Sequence, residues 1–454
     1  MRNHFHSDCE DIVTAAATED KKPDFSELVS VFARIGLLSF GGPAGQIALM
    51  HRIIVDEKRW LPPDRYLHAL NYCMLLPGPE AQQLATYVGW MLHGVRGGIA
   101  AGLLFVLPGF VLIVALAALY ATLGDAAWLE AIFMGLKAAV LAIVVQALWR
   151  MAGRSLKGPV SVGLALAAFL ALFVFGVAFP VVVLAAGLVG YVFMRRPVAA
   201  APDIPVKRDW RRRGVSTAAT LLLWTAIWLL PLIVLVPFGE FHTLADIFGF
   251  FVKIALFSFG GAYAVLTYVA QEAVATYHWL TPAEMMDGLA LAETTPGPLV
   301  LVLCFVGFLA AHAAPVFAAP LVSGLIGAVL TAWAIFVPSF LFIFAGAPYV
   351  EDLRRNAALS GALAGIGAAI VGVIANLSLW FALNVLFSSV DRIALFSLPP
   401  LLRASLIWPD GASLDLASLA ISVAGIVALI KFRVGILPLL AGAALTGLAI
   451  GTLL

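Results

Sequence analysis

The stretch Phe32–Pro79 returns at Phe251–Pro298 without a gap, at a constant offset of 219 residues. Of its 48 positions 15 are identical. They include Ser39-Phe40-Gly41-Gly42 against Ser258-Phe259-Gly260-Gly261, Trp60-Leu61 against Trp279-Leu280, and Pro77-Gly78-Pro79 against Pro296-Gly297-Pro298. Further on the offset becomes 230, where Leu107-Pro108-Gly109-Phe110 faces Val337-Pro338-Ser339-Phe340 and Gly135–Leu148 faces Gly365–Ser378. The second half therefore holds 230 − 219 = 11 extra residues between Pro298 and Pro338. Apolar segments broken by glycine and proline at matching places in two halves are a sequence pointer to a transporter's substrate site.

The chain of 454 residues is 62% hydrophobic and 12% charged, with a mean hydropathy of +1.02. Soluble domains carry about 25% charged residues, so these proportions describe an integral membrane protein whose surface is lipid. Runs such as Ile99–Ala121 and Ala218–Pro237 approach the roughly 20 residues needed to cross a bilayer. A net charge of +1 with no basic face gives no reason to expect nucleic acid. Cys9, Cys73 and Cys304 have neither disulfide-framework nor metal-ligand spacing. There is no nucleotide-binding motif, no HExxH and no clustered metal-ligating set, so the expectation is no enzyme, no cofactor and no metal. Transport on an ion gradient is what remains.

Apolar spans fall at about 98–121, 128–149, 159–176 and 179–194, then 216–237, then 319–346, 357–386, 415–431 and 434–453. The resulting division is a polar tail at 1–25, a first repeat at 26–194, a basic linker at 195–215, one extra transmembrane helix at 216–237, and a second repeat at 245–454. Lys and Arg in short loops mark the cytoplasmic side. Arg52, Lys58, Arg59 and Arg65 place 51–65 inside, whereas its counterpart 270–284 has no Lys or Arg and faces out. The helix at 216–237 turns the second repeat over, so the repeats are inverted relative to each other. Segments 26–57 and 66–93 must enter and leave on one side. Their arms of about 14 residues reach only about 20 Å, too short to cross alone. The sequence thus predicts an all-α membrane protein of two inverted repeats, each with two re-entrant hairpins and about four transmembrane helices. The N-terminus is expected in the cytoplasm and the C-terminus outside. Whether the broken segments are hairpins or full spans is left open by length alone.

Each hairpin tip ends one helix and starts another. The first N–H groups of a helix lack partners and carry the positive end of its dipole, which suits an oxyanion. Gly41, Gly42, Gly78, Gly260, Gly261 and Gly297 let a ligand approach the backbone, flanked by Ser39, Gln46, Pro77, Gln82, Ser258, Thr294 and Thr295. The same glycines also suit helix kinks and close packing; four motifs in register favour the site. Arg34 and its counterpart Lys253 are cations inside apolar runs, either ligands or snorkelling side chains. Glu80 follows one tip and Glu293 precedes another. Either couples proton to anion movement, while Glu80 equally serves as a first-turn acid stabilising its own helix. Lys137 lies opposite Gly367 of the other half, so its role is not symmetric.

These segments resemble the chromate ion transporter family in its long, two-domain form. The resemblance rests on Phe32–Pro43, Trp60, Leu75–Leu84, Gly94–Gly98 and Leu107–Phe110, with a shorter echo at Phe257–Gly261 and Thr294–Pro298, and covers about residues 26–454. It implies export of chromate across a bacterial cytoplasmic membrane, chromate resistance, and sulfate as a competing tetrahedral dianion. A homodimer is a further expectation. The second half departs from the pattern, with Ala262 for Pro43 and Leu299-Val300-Leu301 for Glu80-Ala81-Gln82. More of the substrate chemistry is therefore expected in the first repeat. The competing readings are an oxyanion uptake carrier on the same scaffold and an anion channel.

Overall fold

A computed structural model of the protein describes residues 23–40, 42–123, 126–194, 210–259, 262–346, 357–397 and 403–453. Most of the expected polar tail, most of the linker, and the tip glycines Gly41, Gly260 and Gly261 lie outside the described residues. The protein is a helical membrane protein, about 84% helical among the described residues, with one β-hairpin.

The chain starts with α1 (Phe25–Leu38) and α2 (Gly42–His51), the latter running into a π-helical turn at Arg52–Glu57. Next come α3 (Pro63–Cys73) and α4 (Glu80–Leu123). Helix α4 is broken at His93-Gly94, where Gly94 has φ 61° and ψ −151°, a conformation suited to glycine. Then follow α5 (Ala127–Ser155), α6 (Pro159–Phe173), α7 (Phe179–Phe193) and α8 (Trp210–Leu235). The second half opens with α9 (His242–Phe257) and α10 (Ala262–Gln271), again running into a π-helical turn, Glu272–Thr276. After α11 (Pro282–Thr294), a 3-10 turn at Leu299–Leu301 leads into α12 (Val302–Ala313), followed by α13 (Pro320–Gly346) and α14 (Ala357–Leu386). A hairpin of β1 (Val390–Ser397) and β2 (Arg403–Pro409) precedes α15 (Leu416–Ile430) and α16 (Ile436–Leu453).

Local chemistry sets these boundaries. Proline occupies the first turn of α3 and of α11, where its missing N–H costs nothing. A capping box starts α11: Glu284 N donates to Thr281 Oγ1 at 3.2 Å, and Thr281 N donates to Glu284 Oε2 at 2.7 Å. Arg59 and His278, at the same position of the two halves, both adopt positive φ, 53° and 52°.

Among the described residues five helices are long and apolar enough to cross a membrane: α4, α5, the Thr217–Leu235 part of α8, α13 and α14. Large apolar side chains stay exposed on their outer faces, including Leu222, Ile233 and Trp149. Apolar patches on that scale belong against lipid rather than water. Helix α8 is the extreme case, with only 6% of its apolar window buried.

The two halves interlock. Helix α5 of the first half packs on α15 and α16 of the second, while α14 of the second packs on α6 and α7 of the first. Small residues permit these crossings, as expected between helices in lipid. Gly365 and Gly361 lie against Ala186 and Gly190, and Gly135 lies against Ala443 and Gly447. A cluster of buried apolar residues, among them Phe32, Phe105, Phe251 and Phe305, joins α1, α4, α9 and α12 and surrounds the broken segments.

Candidate functional site

Four helix breaks converge at the centre of this packing. The Ser39 carbonyl, after α1, accepts the Gly297 N–H at 2.7 Å, and the Ser258 carbonyl, after α9, accepts the Gly78 N–H at 2.9 Å. These bonds are equivalent under the 219-residue offset. Each ties a serine-glycine break of one half to a Pro-Gly-Pro break of the other. Gly78 and Gly297 have φ of 123° and 93°, so the geometry needs glycine at both. The serine hydroxyls turn back on their own helices, Ser39 Oγ donating to the Ile35 carbonyl at 2.6 Å and Ser258 Oγ to that of Ala255 at 3.1 Å.

The Leu107-Pro-Gly-Phe110 motif supports one of these breaks. Any Cβ on Gly109 would run into the Pro296 carbonyl. The counterpart Ser339 stands by Gly78, its hydroxyl 3.4 Å from where a Cβ would be.

Between the breaks lies a cavity of about 30 Å³, room for about two waters. Its wall is built from equivalent positions of the two halves: Gln46 and Val265, Pro79 and Pro298, Glu80 and Leu299, Ala81 and Val300. Pro43, Gly78, Ser258 and Ile335 complete it. The shape is shared by both halves and the chemistry is not, because the first half contributes an amide and a carboxyl where the second contributes two aliphatic side chains. The cavity also receives the start of α4, whose first N–H groups lack intrahelical partners.

Amide side chains brace the breaks. Gln46 Nε2 donates to the Gly297 carbonyl at 2.6 Å and to that of Ser39 at 3.4 Å. Gln83 Nε2 donates to the Pro77 carbonyl at 2.7 Å. Those bonds fix the amide orientations and leave buried acceptors: Oε1 of Gln46, Gln82 and Gln83, with the Ser339 hydroxyl, has no protein partner among the described residues. Buried polar atoms are normally hydrogen-bonded, so these amide oxygens mark a place that a hydrogen-bond donor such as water completes.

The other expected site residues are distributed as follows. Gln82 follows the wall residue Ala81 and is buried, its amide 3.4 Å from Thr86 Oγ1. Thr294 and Thr295 donate their hydroxyls to the Leu291 and Ala292 carbonyls, at 2.7 and 2.9 Å. Glu293 is buried and accepts the Tyr263 hydroxyl at 2.8 Å, away from the cavity wall. Gly42 opens α2 with φ 74°. Arg34 is exposed, its guanidinium 3.8 Å from Glu57, which Arg52 also contacts at 3.4 Å. Lys253 is exposed as well. Among the residues lining the cavity there is no cation, and Glu80 is their single acid.

Sequence reasoning singled out Lys137 but missed its partner. Lys137 of α5 lies 3.1 Å from Asp287 of α11, and Tyr120 donates to the same carboxylate at 2.9 Å. A carboxylate on an otherwise apolar helix face was the available signal.

The family model for the chromate transporter matches residues 26–191 and 245–448. The chain belongs to the chromate transporter family. It is 34% identical to a chromate transport protein of Pseudomonas aeruginosa, over 80% of this chain and 82% of that one. A chromate transport protein of Cupriavidus metallidurans is 31% identical over 80% of this chain and 84% of its own. A probable chromate transport protein of Synechococcus elongatus is 29% identical over 77% and 82%. No solved structure matches the chain. Family membership and the apolar helices together make this a membrane-embedded protein, and they point to a transporter rather than an enzyme.

Proposed function

We propose that the chain is a secondary active transporter that exports chromate from the cytoplasm, driven by the proton gradient, and thereby confers chromate resistance. The observation that carries this reading is the cavity at which breaks from both halves meet through equivalent hydrogen bonds, in a chain whose relatives are chromate transport proteins. Transporters built from inverted repeats place their sites at such breaks, and residues 26–194 and 245–454 are taken as those repeats. Their orientation puts the N-terminus in the cytoplasm and the C-terminus outside, in the bacterial inner membrane. The short arms support re-entrant hairpins: α1 with 14 residues and α11 with 13 reach only about 20 Å each.

Helix N-termini at the breaks hold the tetrahedral dianion, with Ser39, Gln46, Pro77, Gly78, Glu80, Gln82, Ser258, Thr294, Thr295 and Gly297 forming or bracing the site and Gly41, Gly42, Gly260 and Gly261 completing its tips. Arg34 and Lys253 draw the anion toward it from outside the cavity. Sulfate competes, since it presents the same charge and shape, and the working unit is a homodimer. Transport requires the breaks to part toward each side of the membrane in turn. Glu80, the single acid among the residues lining the cavity, is the first candidate to carry the coupled proton. Glu293, held by Tyr263, is the second candidate.

The test is chromate accumulation in cells expressing the chain, with and without a protonophore, beside Glu80→Gln and Arg34→Gln. The expected result is lower accumulation with the wild type, abolished by the protonophore. Glu80→Gln is expected to reach the membrane yet lose the dependence on the gradient, and Arg34→Gln to lose export. Raised accumulation in expressing cells would reverse the direction, and an unchanged Arg34→Gln would remove its part in drawing the anion in.

A further inference from the structure

The Lys137–Asp287–Tyr120 cluster joins the halves at a second place. Lys137 comes from the middle of α5, Tyr120 from the last turn of α4, and Asp287 from α11, the helix that ends at the Thr295-Pro296-Gly297 break. Ten residues, or about 15 Å of chain at helical rise, separate Asp287 from Gly297. Both ionic partners are largely shielded, with side-chain exposures of 22% for Lys137 and 7% for Asp287. An ion pair removed from water is weak evidence for stability, and in lipid such groups are better read as functional. Repeat symmetry gives it no structural necessity, since the equivalent positions hold Gly367 and His68.

Its chemistry is that of an occupied anion site. An ammonium lies 3.1 Å from one carboxylate oxygen, and a phenol donates to the other at 2.9 Å. The ammonium and the phenol face two oxygens of one anion, the first as an ion pair and the second as a charge-assisted hydrogen bond. We propose that Lys137 and Tyr120 form a second oxyanion subsite on the transport path, and that Asp287 is its built-in occupant, displaced when the transported anion arrives. The inference rests on the transport reading above and adds to it a place where the anion pauses outside the central cavity. The charged and titratable groups around Asp287 are few: Lys137 from α5, Tyr120 from α4, and Glu284 one turn earlier on α11. Of the other helices packed on α11, α14 and α16 carry no ionisable side chain, and α12 offers Cys304 and His312.

The subsite predicts opposite effects from its two charged members. In proteoliposomes of the full chain loaded for radiolabelled chromate flux, Lys137→Met should raise KM by about ten-fold, the value of one charge-assisted bond. Tyr120→Phe should raise it less. Asp287→Asn removes the competing occupant and should lower KM, and Lys137→Met/Asp287→Asn should stay as weak as Lys137→Met alone. A structural ion pair would behave otherwise: each single substitution would impair flux or folding, and the double substitution would restore it. That pattern, or an unchanged KM in Lys137→Met, overturns the subsite while leaving chromate transport standing. A wild type that moves no chromate would overturn the transport reading, and the subsite with it.

Discussion

Gln46 shows how one side chain serves both halves. Its amide donates to the Ser39 carbonyl of its own half and the Gly297 carbonyl of the other, while its carbonyl oxygen stays buried and unpartnered at the cavity. Gln46→Leu would leave the Gly297 carbonyl without that donor, at a cost of about 1–3 kcal/mol. The expected outcome is a lower unfolding temperature for purified protein together with reduced chromate flux. Unchanged values for both would show that the breaks hold without it. At this scale the sequence was informative about the breaks and less so about the charges. Ser39, Gly78, Ser258 and Gly297 could be picked out because they recur at one offset. Asp287 could not, because its partner Lys137 is distant in the chain and neither has a charged counterpart of the same kind in the other half. Nor does a charge in an apolar run say which helix face it occupies, which is why Arg34 was legible as a candidate while its position beside Glu57 was not.

At the scale of helices, hydropathy located every long span, because about 20 apolar residues have few other uses. It did not reveal the β1–β2 hairpin between α14 and α15, whose pairing depends on contacts between segments rather than on a periodic pattern within either. The break inside α4 is a similar case. Glycine is common in membrane helices, and the positive φ of Gly94 appears only once the chain is folded. Close crossings are easier to test. Any Cβ at Gly365 would meet the Ala186 carbonyl and the backbone of Gly190. Gly365→Leu should therefore push α14 away from α7, with overpacking of at least about 1–3 kcal/mol. The expected outcome is poor yield of folded protein on fluorescence-detected size exclusion, with Gly153→Leu, where a Cβ meets nothing nearby, as the tolerated control. Equal behaviour of the two variants would mean that the α7–α14 crossing contributes little.

For the whole molecule, the interlocked packing is one consequence of the duplication, and the proposed inverted orientation would be a second. Helix α5 lies on the last two helices of the second half and α14 on the last two of the first, an exchange that brings breaks from both halves to one cavity. If the halves run in opposite directions through the membrane, equivalent residues must emerge on opposite sides. Asp56 and Ala275 are such a pair, 219 residues apart, exposed, and each in the π-helical turn that follows α2 or α10. Asp56→Cys and Ala275→Cys, each in a background lacking Cys9, Cys73 and Cys304, can be probed with a membrane-impermeant maleimide on intact cells. The expected outcome is immediate labelling at Ala275→Cys and labelling at Asp56→Cys only after the membrane is opened. The loop charges set that sense, since Arg52, Lys58, Arg59 and Arg65 crowd one turn and the other has no Lys or Arg. Labelling of both from outside would make the halves parallel. The α1–α2 and α9–α10 breaks would then have to be reached from the same face, and alternating exposure of a shared cavity would lose its structural basis.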